Sequence, residues 1–294
     1  MKGAASNLEQ AERASWVTIV TYCLMAAAKL SGGYFFHSRA LFADGMNNLS
    51  DSISAITMAV GLRYARRPAD SDHPYGHWKG ETIATLAMSF LIIFIGLEVI
   101  LDSVRAFWKP VRHALDPTTV GVALLGTVAA IGLYRMNSRL AKNLNSQGLK
   151  AQAKDNFADA LTSLATAATS LTSFLALPWL DGLMSLIIGG IILKTGLEIF
   201  LESVYLLTDG FPPEDLVKYA TVAKKVPGVE AIGSVRARRY GANVALELTI
   251  LVDPNLTVQA SHAITEVVEE ALMANFDVHA ITVHVEPSTR TPPN

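Results

Sequence analysis

Residues Leu161 to Leu177 carry no charged side chain, and directly ahead of them stand two aspartates four positions apart. The stretch reads Lys154-Asp155-Asn156-Phe157-Ala158-Asp159-Ala160-Leu161. Positions four apart lie one above the other on a helix face, so Asp155 and Asp159 point the same way near the start of a long apolar helix. An acid inside a bilayer-spanning helix costs about 2.5–3.5 kcal/mol on insertion scales, so it must face a polar interior and serve a purpose there. An earlier stretch, Asp44-Gly45-Met46-Asn47-Asn48-Leu49-Ser50-Asp51, repeats the arrangement, with Asn47 and Asp51 four apart. The rest of the chain reads as a frame that brings these two helical faces together.

Six apolar segments fit such a frame, at about 16–36, 41–64, 81–105, 117–137, 149–177 and 180–206. Stretches of roughly 20 residues are long enough to cross a bilayer core. Trp16, Trp78, Trp108 and Trp179 all fall at or near the ends of these segments, as an interfacial aromatic belt requires. Arg63, Arg66, Arg67 and Lys79 flank one connection, and Arg135, Arg139, Lys142, Lys150 and Lys154 flank another. Connections on the opposite side hold fewer: Arg39, then Arg105, Lys109 and Arg112, then none around Pro178. The excess of positive charge places both termini in the cytosol. The polar N-terminus, Ser6 to Arg13, runs into a span too long for a signal-peptide core, so the first span is read as retained. A net charge of −2 gives no argument for nucleic acid, and the lone Cys23 excludes a disulfide framework or a thiolate metal cluster.

This topology has a geometric consequence. If the second segment starts on the outside near residue 41, Asp51 lies roughly 15 Å deep at 1.5 Å per residue. If the fifth starts on the inside near residue 149, Asp155 and Asp159 lie roughly 9–15 Å in. Both pairs then reach the middle of the bilayer from opposite sides. Lys29, Glu98 and Asp102 fall near the outer boundary and are expected to snorkel or pair. Lys194 and Glu198 are expected to form a helical ion pair, and Gly182, Ser185, Gly189 and Gly190 a small-residue face for close packing.

After Asp209-Gly210-Phe211-Pro212-Pro213 the period changes. An amphipathic helix over Glu214–Val226, alternating strands over Val229–Arg239 and Asn243–Asp253, a helix over Thr257–Asn275 and a strand over Val278–Glu286 make a small α+β domain. The expected organisation is a transmembrane domain over residues 1–209, a cytosolic α+β domain over 210–290 and a polar tail over 291–294.

Asn47, Asp51, Asp155 and Asp159 all offer oxygen, and none offers imidazole or thiolate. Hard divalent cations such as Mn²⁺ and Mg²⁺ favour oxygen, whereas Zn²⁺ favours histidine and cysteine. The bland alternative is a buried hydrogen-bond network, but three carboxylates repel one another unless a cation or protons intervene. Asp44 is a further candidate member of the set, or else a cap or loop anchor at the helix entry.

Asn47-Asn48-Leu49-Ser50-Asp51 and Asp155-Asn156-Phe157-Ala158-Asp159, set on the second and fifth of six helices ahead of an α+β tail, resemble the transport-site motifs of the cation diffusion facilitator family. The likeness covers nearly the whole chain. In zinc-transporting members a histidine or aspartate takes the place of Asn47 and a histidine that of Asp155, so the set here resembles the manganese-exporting branch. The tail is expected to be metallochaperone-like, that is ferredoxin-like. In the loop Asp70-Ser71-Asp72-His73-Pro74-Tyr75-Gly76-His77, the residues matching Asp70, His73 and His77 can bind a second metal in the family, although a plain structural turn also accounts for them. Lys79 and Asp209 match a lysine–aspartate pair at the family's dimer interface. His262, His284 and Glu286 match part of a cytosolic metal site, with Gly233 and Thr249 near the places of two absent histidines and Glu247 nearby.

The expected function is secondary active export of a divalent cation, Mn²⁺ first, in exchange for protons. The setting is a homodimer in the cell (inner) membrane, with no cofactor beyond the transported ion and no nucleic acid partner. Export of Fe²⁺, Co²⁺ or Zn²⁺ is the alternative within transport, and a membrane-bound metal sensor or scaffold the alternative outside it. No nucleophile–base pair or phosphate-binding loop points to an enzyme.

Overall fold

The structure is a computed structural model that describes residues 2–35, 39–108, 117–174 and 178–288. Six long helices come first: α1 (Lys2–Phe35), α2 (Arg39–Ala65), α3 (Lys79–Trp108), α4 (Pro117–Leu144), α5 (Gln147–Phe174) and α6 (Pro178–Leu207). The chain separates into two compact units, residues 1–203 and 204–294.

The helices of the first unit are built inside out. On α2, Met46, Leu49, Ile53, Ile56 and Val60 are exposed at intervals of three and four, while Asn48, Asp51, Ser52 and Ser54 are buried. On α3, Phe90, Phe94, Leu97 and Leu101 face outward in the same way. In water this would strand an apolar surface far larger than monomers expose. In a bilayer it is the stable arrangement, because the chain's polar groups can be satisfied only by one another. Three helices, over Ser6–Gly32, Lys79–Arg105 and Val120–Leu144, are long and apolar enough to cross a membrane among the described residues. Helices α2 and α5 carry the buried acids, which lowers their average apolarity.

Close packing in this unit depends on small residues. A Cβ added at Gly61 of α2 would lie 2.1 Å from the Cβ of Ala84 on α3. One at Gly96 of α3 would lie 2.7 Å from the backbone nitrogen of Leu193 on α6. Of the residues expected to line α6, Gly189 does pack closely, with Ile100 Cγ1 2.8 Å from an added Cβ, whereas Gly190 has nothing within 4 Å. Gly196, two turns along the same stripe as Gly189, takes the second contact instead, against Ile93. The side chains at 182 and 185 lie outside the described residues.

Ion pairs behave in two ways. Lys194 and Glu198 approach to 3.9 Å as expected, and Glu198 also meets Lys154 of α5 at 3.4 Å. Asp102 pairs with Arg105 at 2.9 Å on the surface. Of the two courses expected of it, Lys29 does not take the first. It does not snorkel outward but is buried, its Nζ 3.2 Å from where a Cβ on Gly126 of α4 would stand. The reason is steric and electrostatic together: the glycine leaves room for the ammonium, and Asp51 lies within its field.

The second unit contains α7 (Pro213–Ala223), β1 (Ala231–Tyr240), β2 (Asn243–Val252), α8 (Val258–Asn275) and β3 (Ala280–Pro287). The sheet runs in the order β1-β2-β3, with β1 antiparallel and β3 parallel to β2. Val244, Leu246, Leu248 and Ile250 alternate inward from β2, as period-two patterning requires. They meet Val268 and Leu272 of α8 and Tyr219 and Ala223 of α7. Thr257 caps α8 by accepting the N–H of Ala260 at 3.2 Å. The expected elements are all present, with ends moved by a few residues.

Candidate metal site

Helix α5 is positioned from its first turn. Ser146 sits ahead of it as a cap, its Oγ accepting the N–H of Leu149 at 3.2 Å. Glu81, buried on α3, accepts the hydroxyl of Ser146 at 2.5 Å and the N–H of Gly148 at 2.9 Å through the same oxygen. A helix N-terminus is a natural seat for a carboxylate, since its orphan N–H groups carry partial positive charge. Met58 of α2 presses on the same spot, its sulfur 2.5 Å from where a Cβ on Gly148 would stand. Sequence reading passed over Glu81, although an acid beside a Lys-Gly start of an apolar segment was visible.

Two turns along, the acids come together. Asp51 on α2 and Asp155 and Asp159 on α5 are only 2%, 5% and 8% exposed. Asp51 feels the charges of both Asp155 and Asp159 across the helix boundary, with Lys29 of α1 as the nearby cation. Asn48 Nδ2 donates to Asp51 Oδ2 at 3.0 Å, leaving its own Oδ1 buried and unpartnered in the structure. The side chains of Asn47 and Asp44 lie outside the described residues, although both positions are on α2. The described acids thus share one buried face between α2 and α5. What the arrangement can do chemically is take up positive charge, since three carboxylates packed into a protein interior repel one another.

A polar strip on α1 completes the surroundings, and it was missed in the sequence. Glu12, Ser15, Thr18, Tyr22 and Lys29 recur at helical spacing and are all buried. Tyr22 donates its hydroxyl to Asp159 Oδ2 and accepts from Asn156 Nδ2 at 2.8 Å. Asn137 of α4 donates to Asn156 Oδ1 at 2.8 Å and to Thr18 Oγ1 at 3.0 Å. Ser15 donates to Gln152 of α5 at 2.9 Å. The signal that would have found the strip is polar, not apolar, periodicity: positions 12, 15, 18 and 22 follow the 3.6-residue repeat.

Among the described residues one trio of ligating side chains closes to within 4.8 Å, and it is Asp70, His73 and His77 in the loop ahead of α3. His73 Nδ1 lies 3.1 Å from Asp70 Oδ1 and His77 Nε2 lies 3.5 Å from Asp70 Oδ2. The backbone N–H of His73 donates to Asp70 Oδ1 at 2.7 Å, and this bond first among several holds the carboxyl below its ordinary range. His77 is buried, with Nδ1 donating to the carbonyl of Pro68 at 3.1 Å. That bond fixes the tautomer and aims Nε2 at the trio, the usual second contact of a metal-binding imidazole.

The tail residues are not gathered in the same way. His284 and Glu286 alternate along β3, with Nε2 and Oε1 3.6 Å apart. His262 stands on α8 beside Glu266 at 3.7 Å, and no described third ligand closes the set within one chain. Glu247 is taken by Arg238 at 2.8 Å. Gly233 lies against Thr249, with 3.1 Å between an added Cβ and Thr249 Cγ2, so the places matched to the absent histidines adjoin, yet neither residue is a ligand.

Residues 15–208 match the cation efflux transmembrane domain family, and residues 211–288 match the cytoplasmic domain of cation efflux proteins. An uncharacterized transporter of Bacillus subtilis, YdbO, is 38% identical over 96% of this chain and 97% of its own length. The manganese efflux system protein MneS of the same organism is 36% identical over the same shares, and MneP is 27% identical over 96% of this chain and 98% of its own. With the matched transmembrane domain spanning most of the chain and the acids packed between α2 and α5, the protein belongs to the cation diffusion facilitator family of membrane cation-efflux transporters.

Proposed function

We propose that the protein is a homodimeric secondary exporter of Mn²⁺ from the cytosol, in exchange for protons. The transport site would be Asn47, Asp51, Asp155 and Asp159. The cell (inner) membrane is its place, with both termini in the cytosol, as the excess of Lys and Arg on two connections indicates. The observation that carries this reading is the burial of Asp51, Asp155 and Asp159 on one shared face of α2 and α5. Such a cluster is tolerable when it alternates between a divalent cation and protons. An all-oxygen set favours Mn²⁺ over metals that seek nitrogen or sulfur, and two relatives are named for manganese efflux.

Moving one charge against 100 mV costs about 2.3 kcal/mol, so expelling a divalent cation costs about 4.6 kcal/mol from voltage alone. A passive pore would run backward. Proton exchange supplies the missing drive, and with no histidine in the set the aspartates must carry the proton.

The loop trio supports a second, regulatory cation. Its two imidazoles and one carboxylate make a different donor set from the midplane acids, suited to a borderline metal. The tail residues His262, His284 and Glu286 would complete a site with ligands from a second copy of the chain.

The test is uptake into sealed vesicles carrying the purified protein, run across Mn²⁺, Fe²⁺, Zn²⁺ and Co²⁺ with an imposed pH gradient. Gradient-dependent accumulation with Mn²⁺ preferred is expected. Metal binding without accumulation would favour a sensor or scaffold. A preference for Fe²⁺, Co²⁺ or Zn²⁺ would keep the transporter and change its cargo.

A further inference from the structure

Asn48 stands one turn before Asp51 on α2 and is only 2% exposed. Its two amide atoms fare differently. Nδ2 donates to Asp51 Oδ2 at 3.0 Å, while Oδ1 is buried with no hydrogen-bond partner among the described residues. Turning the amide over does not mend this, because its oxygen would then face a carboxylate oxygen with no proton between them. Asn48 shares a stripe of α2 with Ser52, Ala55 and Ala59, all buried, and Ile19 of α1 packs on the two alanines. The Ser52 hydroxyl donates to the backbone carbonyl of Asn48 at 2.9 Å, not to the amide. An amide oxygen shut away from water without a donor is costly, and a bilayer supplies no substitute.

We infer that Asn48 is a further ligand of the transported cation, offering Oδ1 to the ion while Nδ2 steadies Asp51. The inference rests on reading Asp51 as a ligand of the cargo. An amide oxygen lies about 2.2 Å from its own nitrogen, so Asn48 Oδ1 is within about 5.2 Å of Asp51 Oδ2. A small octahedral cation with bonds of about 2.1 Å spaces opposite oxygens about 4.2 Å apart. A modest turn about the soft terminal torsion of asparagine covers the difference. The occupant is a cation, because the oxygen borders a carboxylate that already feels the charges of Asp155 and Asp159. There is also a consequence for selectivity. A neutral oxygen raises the ligand number without adding negative charge. Beside Asn47, Asp51, Asp155 and Asp159 it makes a fifth side chain, beyond the four ligands at which Zn²⁺ does best. Asn48 therefore bears on the choice of Mn²⁺ over Zn²⁺.

The experiment uses the full-length protein in sealed vesicles, where uptake is read rather than binding at the loop or tail. Asn48→Leu keeps the size of the side chain and removes both polar atoms. Its KM for Mn²⁺ is expected to rise at least about tenfold, the lower end of what losing a supporting contact costs a metal site, and its preference for Mn²⁺ over Zn²⁺ to fall. An unchanged KM overturns the inference. A raised KM would also follow if Asn48 did no more than steady Asp51, so contact with the ion is read separately. Asn48→Cys places a thiolate there, a group that binds such metals readily. In contact with Co²⁺ it gives a sulfur-to-metal charge-transfer band, with the unaltered protein, whose one thiol is Cys23, as the blank. The band is expected. Its absence reduces Asn48 to a support of Asp51 and overturns the inference. Should Asn48→Leu not fold, Asn48→Cys carries the test alone. Asp51→Ala separates the two levels. If Asp51→Ala takes up Mn²⁺ normally, the transport-site reading fails and Asn48 loses its role with it. If it is inactive while Asn48→Leu matches the unaltered protein, only the role of Asn48 fails.

Discussion

Glu81 on α3 accepts the backbone N–H of Gly148 at 2.9 Å, so the helix bearing two of the buried acids is fastened at its start to a neighbouring helix as well as to Ser146 in the loop before it. The same oxygen takes the Ser146 hydroxyl, and the whole contact is buried. Glu81→Ala strands both donors in the interior. A loss of about 3 kcal/mol is expected, at the upper end for buried groups left unpaired by removal of a charged partner. Thermal unfolding in detergent measures it. Glu81→Gln, which keeps an acceptor oxygen in place, should lose clearly less.

Asp51→Ala and Asp159→Ala should each abolish transport while leaving a folded protein. Each removes a carboxylate from a set with only three to balance a divalent ion, and each also relieves repulsion among those that remain, so stability should hold or rise. Near-normal Mn²⁺ uptake into vesicles by either variant would sink the assignment.

Asn47→Asp combined with Asp155→His should shift transport toward Zn²⁺ by at least about tenfold relative to Mn²⁺, or roughly 1.4 kcal/mol. Divalent affinity rises along the series from Mn²⁺ whatever the site, so Mn²⁺ wins only where donors and coordination number favour it. An introduced imidazole supplies the nitrogen that Zn²⁺ prefers. An unchanged ratio in an active double variant would place selectivity outside these positions.

In the tail, burial first and then Asp215 push the Tyr219 hydroxyl above its ordinary value of 10.0. The folded state therefore holds that proton more tightly than the unfolded chain does. Its contribution is complete below about pH 10 and is lost as pH rises through the folded-state value. Tyr219→Phe should make the tail's denaturant midpoint less sensitive to pH across the alkaline range. Equal alkaline slopes for both proteins would contradict this.

Replacing His262, His284 and Glu286 together by alanine should spare metal uptake into vesicles and change only the metal dependence of tail association. In one chain these groups form no closed set, and His262 stands apart beside Glu266. A folded, dimeric triple variant with no transport at all would put the tail in the pathway.

The architecture was legible because it rests on strong, local signals. Uncharged runs of bilayer length, acids four apart and a change to period two after Pro213 each report on one segment alone. The buried faces followed from the same logic, and Asp51, Asp155 and Asp159 are buried, as acids set within apolar helices must be. What escaped was everything decided between helices. Tyr22 carries no signal of its own until Asp159 is placed beside it, and the burial of Lys29 depends on the space that Gly126 opens for it. Gly196 rather than Gly190 packs against α3, a matter of one stripe on α6 that only the partner's shape decides. Glu81 is similar: its meaning lies in Gly148, 67 positions away.

Met58, Glu81 and Gly148 meet at a single point where three helices touch, and that point lies seven residues from Asp51 on α2 and seven from Asp155 on α5. Seven helical residues span about 10.5 Å. The meeting point is thus a fulcrum with arms of equal length. A relative tilt of about 10° between α2 and α5 there would shift the acids on the two helices by about 2 Å relative to one another, comparable to one metal–oxygen bond. A modest tilt would then be enough to make or unmake the coordination of an ion, with no need for the helices to part.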